Sequence, residues 1–353
     1  MYEGNHVEAL RNRLAATWPN LDKARVEACE KLSVLNAALA EFKVPDTAIV
    51  SFGSLARLEF TSGSDIDWTL LLDGPASPEH LDTSLAIAKK LAELENKPPG
   101  REGTFGSLAS SHDLVHHIGG EDDTNANTTR RSLLLLESTA LVNSPIHERV
   151  LASLLKRYLK EDDSLWRPTN QTKIPHFLLN DFARYWRTMT VDFAYKQRSR
   201  ANEGFAIRNM KLRMSRKLIY MAGMLGCFKA HLNGYTEMSL DDYDTDHLLP
   251  AVEMMSETFR MPPLEILAAQ LIRHEALYPA TQELFSSYDL FVGLLADNEK
   301  RSRLSTLKRN EADTDPTYIE ARDITHRFRD AIQAIFLTPT SPIGELAIRY
   351  GVF

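Results

Sequence analysis

The chain has 353 residues, 43% hydrophobic and 25% charged. These globular proportions exclude a largely disordered or collagen-like chain, and the length suits two domains or one large one. The formal net charge of −7 gives no global attraction to DNA, RNA or anionic lipid, so any phosphate binding rests on a local basic patch.

Two cysteines, Cys29 and Cys227, are too few for a disulfide scaffold. Both sit in apolar helical contexts and read as buried thiols of a reducing compartment. No basic segment followed by an apolar run opens the sequence, so no signal peptide is read there. The longest apolar stretch, Leu218 to Phe228, falls short of the ~20 residues of a membrane span. A cytoplasmic chain is expected, without membrane partners.

In chain order, residues 5–43 carry apolar positions at helical spacing, split into two helices at Pro19-Asn20. Thr47–Phe52 is a β-rich run ending at Gly53, and Asp67–Leu72 is a second strand closed by Asp73-Gly74. Residues 78–95 read as a helix with Ser77 as N-cap, Pro78 first, and Leu81, Leu85, Ala88, Leu91 and Leu94 on one face. Pro98-Pro99-Gly100 breaks it. Ser111–Ile118 reads as a third strand, and the four leucines of residues 133–136 fit a helix or a strand equally. Beyond about residue 143 only helical patterns follow, roughly 145–160, 172–197, 205–229, 246–258, 263–275, 280–297 and 316–336. This order predicts an α+β chain: a mixed-sheet domain over residues 1–150 with leading helices, then an all-helical domain over 151–353. Residues 160–171 are the most linker-like piece.

Chemistry concentrates between Ser51 and Leu72. A strand runs into Gly53-Ser54; ten residues later Asp65-Ile66-Asp67 opens the next strand. Gly53 lets backbone approach an anion, because it has no Cβ. Ser54 offers a hydroxyl at the start of a helix, where free N–H groups favour phosphate. Asp65 and Asp67, two apart on a strand, share one face. Two adjacent carboxylates call for a cation, and Mg²⁺ takes oxygen ligands while keeping phosphates as partners. The segment is thus suited to a metal–triphosphate complex, with Mg²⁺ or Mn²⁺ on the aspartates.

The G-S-x(10)-D-x-D pattern resembles the active-site signature of the DNA polymerase beta-type nucleotidyltransferase superfamily. The order of parts is loosely similar to the bacterial PII-uridylyltransferase group, through LVHHIGG and the later LLLLESTAL. The resemblance implies that Gly53 and Ser54 begin a helix and that Asp65 and Asp67 bind metal and incoming nucleotide. It also implies a third carboxylate on a neighbouring strand, serving the second metal or deprotonating the acceptor. Asp113, in the expected third strand, is the first choice, and Glu137 the competitor. Asp122 and Asp123 read as part of a loop before a helix capped by Asn127 or Thr128. His116 and His117, adjacent on a strand, would point to opposite faces and chelate no common metal. The acidic run 241–247 lacks the glycine and closing glutamate of an EF-hand.

Residues 196–217 hold eight Lys and Arg against one Glu, a local +7. On a helix over 205–229, Ile207, Met210, Met214 and Leu218 face inward, and Arg208, Lys211 and Ser215 share another stripe suited to β and γ phosphates. Arg213 and Lys217 read as solvent-facing, Tyr185 and Trp186 as core. The expected activity is Mg²⁺-dependent transfer of NMP from an NTP to an acceptor hydroxyl, with pyrophosphate leaving. The acceptor stays open among a protein side chain, a second nucleotide, a tRNA end and a small molecule. The alternative is a catalytically silent nucleotide-binding or interaction module.

Overall fold

A computed structural model describes residues 4–94, 105–166, 172–199, 204–234 and 248–351. In chain order the elements are α1 (His6–Leu14), α2 (Pro19–Leu39), β1 (Thr47–Phe52), the single turn α3 (Gly53–Ala56), β2 (Asp67–Leu72), α4 (Glu79–Glu93), β3 (Ser107–Ser110), α5 (Ser111–His116), α6 (Asn125–Leu136), β4 (Ser138–Val142), α7 (Ser144–Glu161), α8 (Asp163–Trp166), α9 (His176–Ser199) and α10 (Phe205–Lys211). A π-helical turn, Leu212–Arg216, joins α10 to α11 (Lys217–Leu232). Then come α12 (Leu248–Phe259), α13 (Pro263–Leu271), α14 (Tyr278–Ala296), α15 (Asn298–Thr306), α16 (Pro316–Phe336) and α17 (Pro342–Leu346). A four-stranded mixed sheet followed by a mostly helical remainder is the expected α+β class.

The chain forms two compact units. One comprises residues 24–171 and 237–262; the other comprises 4–23, 172–236 and 263–353. The expected break after residue 150 falls within α7, and α12 packs on α7 in the first unit.

In the first unit the strand order is β3-β2-β1-β4. β1 runs antiparallel to β2 and β4, and β3 parallel to β2. Every residue of β1 is buried, as are the last five of β2. Both faces of this sheet are covered, which is why these strands read as apolar runs rather than alternations. Ala28, Leu32, Leu35 and Leu39 of α2, at helical spacing, pack with Ile49, Trp68 and Leu70 of the sheet and with Ile87 and Leu91 of α4.

Several expectations shift. Pro19 is the first residue of α2, and the break between α1 and α2 sits at residues 15–18, where Ala15 is left-handed. The third strand is Ser107–Ser110, and the segment expected as a strand from Ser111 is mostly helix α5, with only Leu114 buried. The four leucines close a helix, α6, that buries all of them; the unforeseen strand β4 begins two residues later. On α4, Leu81, Leu85 and Ala88 are exposed while His80, Ser84, Ile87 and Leu91 face inward. Cys227 is buried as expected, whereas Cys29 is half-buried. The breaker at 98–100 and the acidic run 241–247 lie outside the described residues.

The second unit is helical. The helices α14 and α16 form its largest contact, with Tyr288 of α14 against Phe328 of α16 at a ring distance of 5.7 Å and against Phe291 of its own helix at 5.4 Å. Asp289 of α14 caps α2: one carboxylate oxygen accepts from the backbone N–H of Asn20 and Leu21, both at 2.9 Å. Among the described residues, no helix is long and apolar enough to cross a membrane.

Candidate active site

The β1–β2 register pairs Phe52 with Asp67. The helical turn after Phe52 therefore meets the first residue of β2. Gly53 has φ +70°, and a Cβ there would stand 2.9 Å from Asp67 Oδ2. The glycine is thus required twice, for a left-handed backbone and for close approach to a carboxylate. Ser54 follows it, half-buried. The turn is pinned by Arg57 N donating to Gly53 O at 3.0 Å and Glu59 N to Ser54 O at 2.8 Å. The return loop is closed by Ser64 N on Thr61 O at 2.8 Å.

Ile66, just before β2, is 2% exposed and belongs to the core, between two aspartates that do not. Asp65 is exposed and Asp67 half-buried. The structure thus gathers Gly53, Ser54, Asp65 and Asp67 at one end of the sheet. Hard carboxylate oxygens beside a backbone cradle that a Cβ would fill fit Mg²⁺ or Mn²⁺ with a phosphate partner.

The third-carboxylate expectation changes. β3 runs parallel to β2 and ends with Ser110 beside Leu72, the far end from Asp67. Asp113 follows on α5, next to Ser111, whose hydroxyl donates to Asp73 Oδ1 at 2.6 Å. Asp113 therefore follows the opposite end of the β2–β3 pair from Asp67. The misplacement follows from the strand starting four residues earlier than its apolar pattern suggests. Glu137 lies at the correct end, since β4 begins at Ser138 opposite Phe52. It is buried and bound to Arg57 Nη1, while Arg57 Nε donates to Glu59 Oε2 at 2.9 Å. Sequence reasoning missed this Arg57–Glu59–Glu137 group. An arginine two residues before a glutamate is visible, but its second partner is 80 residues away.

Asp123 is no capping residue. Both its oxygens accept from Arg131, at 2.8 and 2.9 Å, and Arg131 Nε donates to Tyr158 at 2.9 Å, all buried. The cap of α6 is Thr124, whose hydroxyl accepts from Asn127 N at 3.1 Å.

Arg208, Lys211 and Ser215 belong to the second unit. Arg208 and Lys211 are half-buried, but Ser215 is 5% exposed and faces the core. The cause is the π turn, which inserts extra arc and rotates the residues after Lys211 away from ideal α spacing. Arg213 is exposed as expected. Lys217 is half-buried, and burial, aided by Arg213 and Arg329, pushes its ammonium pKa down. Tyr185 is buried and accepts from Arg216 at 3.3 Å, and Trp186 stacks on Tyr220 at 6.1 Å, so both serve packing.

A strand running into a Gly-Ser turn, set against a second strand that opens on Asp67 with Asp65 just before it, is the arrangement the sequence resemblance implies. Residues 33–100 match the family model described as nucleotidyltransferase domain, and this part of the chain is such a domain, of the DNA polymerase beta-type superfamily. No curated protein and no solved structure matches the chain.

Proposed function

We propose that the protein transfers an NMP from an NTP to an acceptor hydroxyl, releasing pyrophosphate, with Mg²⁺ or Mn²⁺ held by Asp65 and Asp67. The observation that carries this reading is the closeness of Gly53 to Asp67 Oδ2, a glycine turn open to an anion beside a carboxylate open to a cation. When bound, the cation would polarise the α-phosphate and neutralise charge on the departing pyrophosphate. The chain's part is positioning. Gly53 brings backbone close to the phosphates, Ser54 Oγ donates to a phosphate oxygen, and the buried Ile66 anchors the chain between the two aspartates. Arg57, held by Glu59 and Glu137, locks the turn that carries Ser54.

Incubation with each α-³²P-labelled NTP and Mg²⁺, with and without cell extract, tests this and identifies the acceptor by where label appears. The Asp65→Ala, Asp67→Ala double variant is expected to release no pyrophosphate. Undiminished release from it would sink the mechanism. A second reading, nucleotide binding without transfer, is favoured by one observation: Asp113 is remote from the aspartates and Glu137 is engaged by Arg57. Under that reading the wild-type chain binds nucleotide but yields neither label transfer nor pyrophosphate.

A further inference from the structure

The segment His112-Asp113-Leu114-Val115-His116-His117 is left without a role by the nucleotidyltransferase reading. On a strand its adjacent histidines would diverge. The structure makes it helical from Ser111 to His116, with His117 closing the turn, so residues four apart share a face. His117 Nδ1 lies 3.9 Å from Asp113 Oδ1, and His112 Nδ1 lies 3.7 Å from the same oxygen. One ligand atom from each of the three residues falls within 4.8 Å of the other two. The His112 and His117 rings meet edge to face at 5.5 Å.

We infer that His112, Asp113 and His117 form a transition-metal site, with Zn²⁺ as the ion of matching chemistry. A point equidistant from three atoms so spaced lies roughly 2.5 Å from each, so side-chain shifts of a few tenths of an ångström reach the ~2.0–2.2 Å of zinc bonds. Two imidazole nitrogens and one carboxylate oxygen select a borderline-soft ion over Mg²⁺, which prefers oxygen alone. Three protein ligands leave a fourth position for water, which the exposure of the cluster supplies: the side chains of His112, Asp113 and His117 are 69%, 55% and 33% accessible. The site is distinct from the aspartate pair. It sits past the Ser110 end of β3, whereas Asp67 begins β2 at the other end. Its helix contacts β3, α6 and α7, so a bound ion would clamp the last turn of α5 over that corner of the first unit.

The test uses full-length protein without a histidine tag, stripped with chelator and titrated with ZnCl₂ by calorimetry, and separately with CoCl₂ by visible absorption. One Zn²⁺ per chain is expected, undisplaced by millimolar Mg²⁺, with Co²⁺ giving the d–d bands of a four- or five-coordinate site. The His112→Ala, His117→Ala double variant should lose this binding at least tenfold while keeping its circular dichroism and melting temperature, since both side chains are at the surface. The Asp65→Ala, Asp67→Ala variant should retain it, which separates this site from the proposed catalytic one. Zinc binding unchanged in the double histidine variant, or no stoichiometric zinc binding by the wild-type chain, overturns the inference.

Discussion

At the scale of single residues, Gly53 is the most constrained position of the candidate site. Gly53→Ala adds a methyl 2.9 Å from Asp67 Oδ2 and forces an L residue to φ +70°, which costs roughly 1–2 kcal/mol. Asp67 must then shift, and misplacement of a reacting group by about 1 Å can cost ~10²-fold in rate. The variant is expected to stay folded by circular dichroism and to lose pyrophosphate release on that order. A near-wild-type rate would show that Asp67 does not need its present place. His147 carries a second residue-scale prediction. Ser138 Oγ donates to Leu134 O at 2.6 Å, so it accepts from His147 Nε2 at 2.7 Å, and the imidazole is neutral. Burial, with help from Arg260, lowers its pKa to about 4. Between pH 6.5 and 4 the unfolded chain binds a proton that the folded chain refuses, so stability falls as pH falls. The loss at acid pH is on the order of 3 kcal/mol. Urea unfolding at pH 7 and pH 4.5 measures it, and His147→Gln should flatten that component of the slope.

At the scale of elements, the two strands that frame the candidate site were legible residue for residue: Thr47–Phe52 and Asp67–Leu72 match their expected limits. Both are apolar runs bounded by turn residues, the pattern that a doubly covered sheet demands. β3 was not legible, because Ser107-Leu108-Ala109-Ser110 has no strong β former and owes its state to parallel pairing with β2. β4 was hidden because Glu137 alone separates it from the four leucines that end α6. On α4 the leucines pointed the wrong way: Leu81 and Leu85 are 62% and 61% exposed, since the helix is docked by Ile87 and Leu91. The loop between α5 and α6 is fixed by a polar device no periodicity shows. Gly119 N donates to Asp123 at 3.1 Å, and the same carboxylate grips Arg131 in the core. Arg131→Ala removes the guanidinium that both oxygens of that buried carboxylate accept from, at an expected cost of ~3–5 kcal/mol. Replacing both partners, Arg131→Met with Asp123→Leu, should cost less than the single change, because no bare charge remains. Equal or larger destabilisation of the double variant in urea would refute that account.

At the scale of the whole molecule, the net charge of −7 conceals a segment, 196–217, with eight basic residues against one acid, while the carboxylate pair lies in the other unit. The strand-then-helix order made the class readable, but a linear boundary could not show that the first unit takes back residues 237–262. The helix responsible, α12, buries Val252, Met255 and Phe259 and packs on α7, which buries Leu151, Leu154, Leu155 and Tyr158. Each such side chain contributes about 1.5–3 kcal/mol when fully buried. Their sum rivals the ~5–15 kcal/mol that holds a whole domain folded. A fragment of residues 24–171 contains the sheet, Gly53, Ser54, Asp65 and Asp67, yet lacks α12. It is expected to bind the hydrophobic dye ANS and to melt without a cooperative transition, and added peptide 237–262 should restore a sharp one. Cooperative melting of the fragment alone, without dye binding, would mean that the first unit's stability lies in the sheet and its flanking helices and not in the α7–α12 pair.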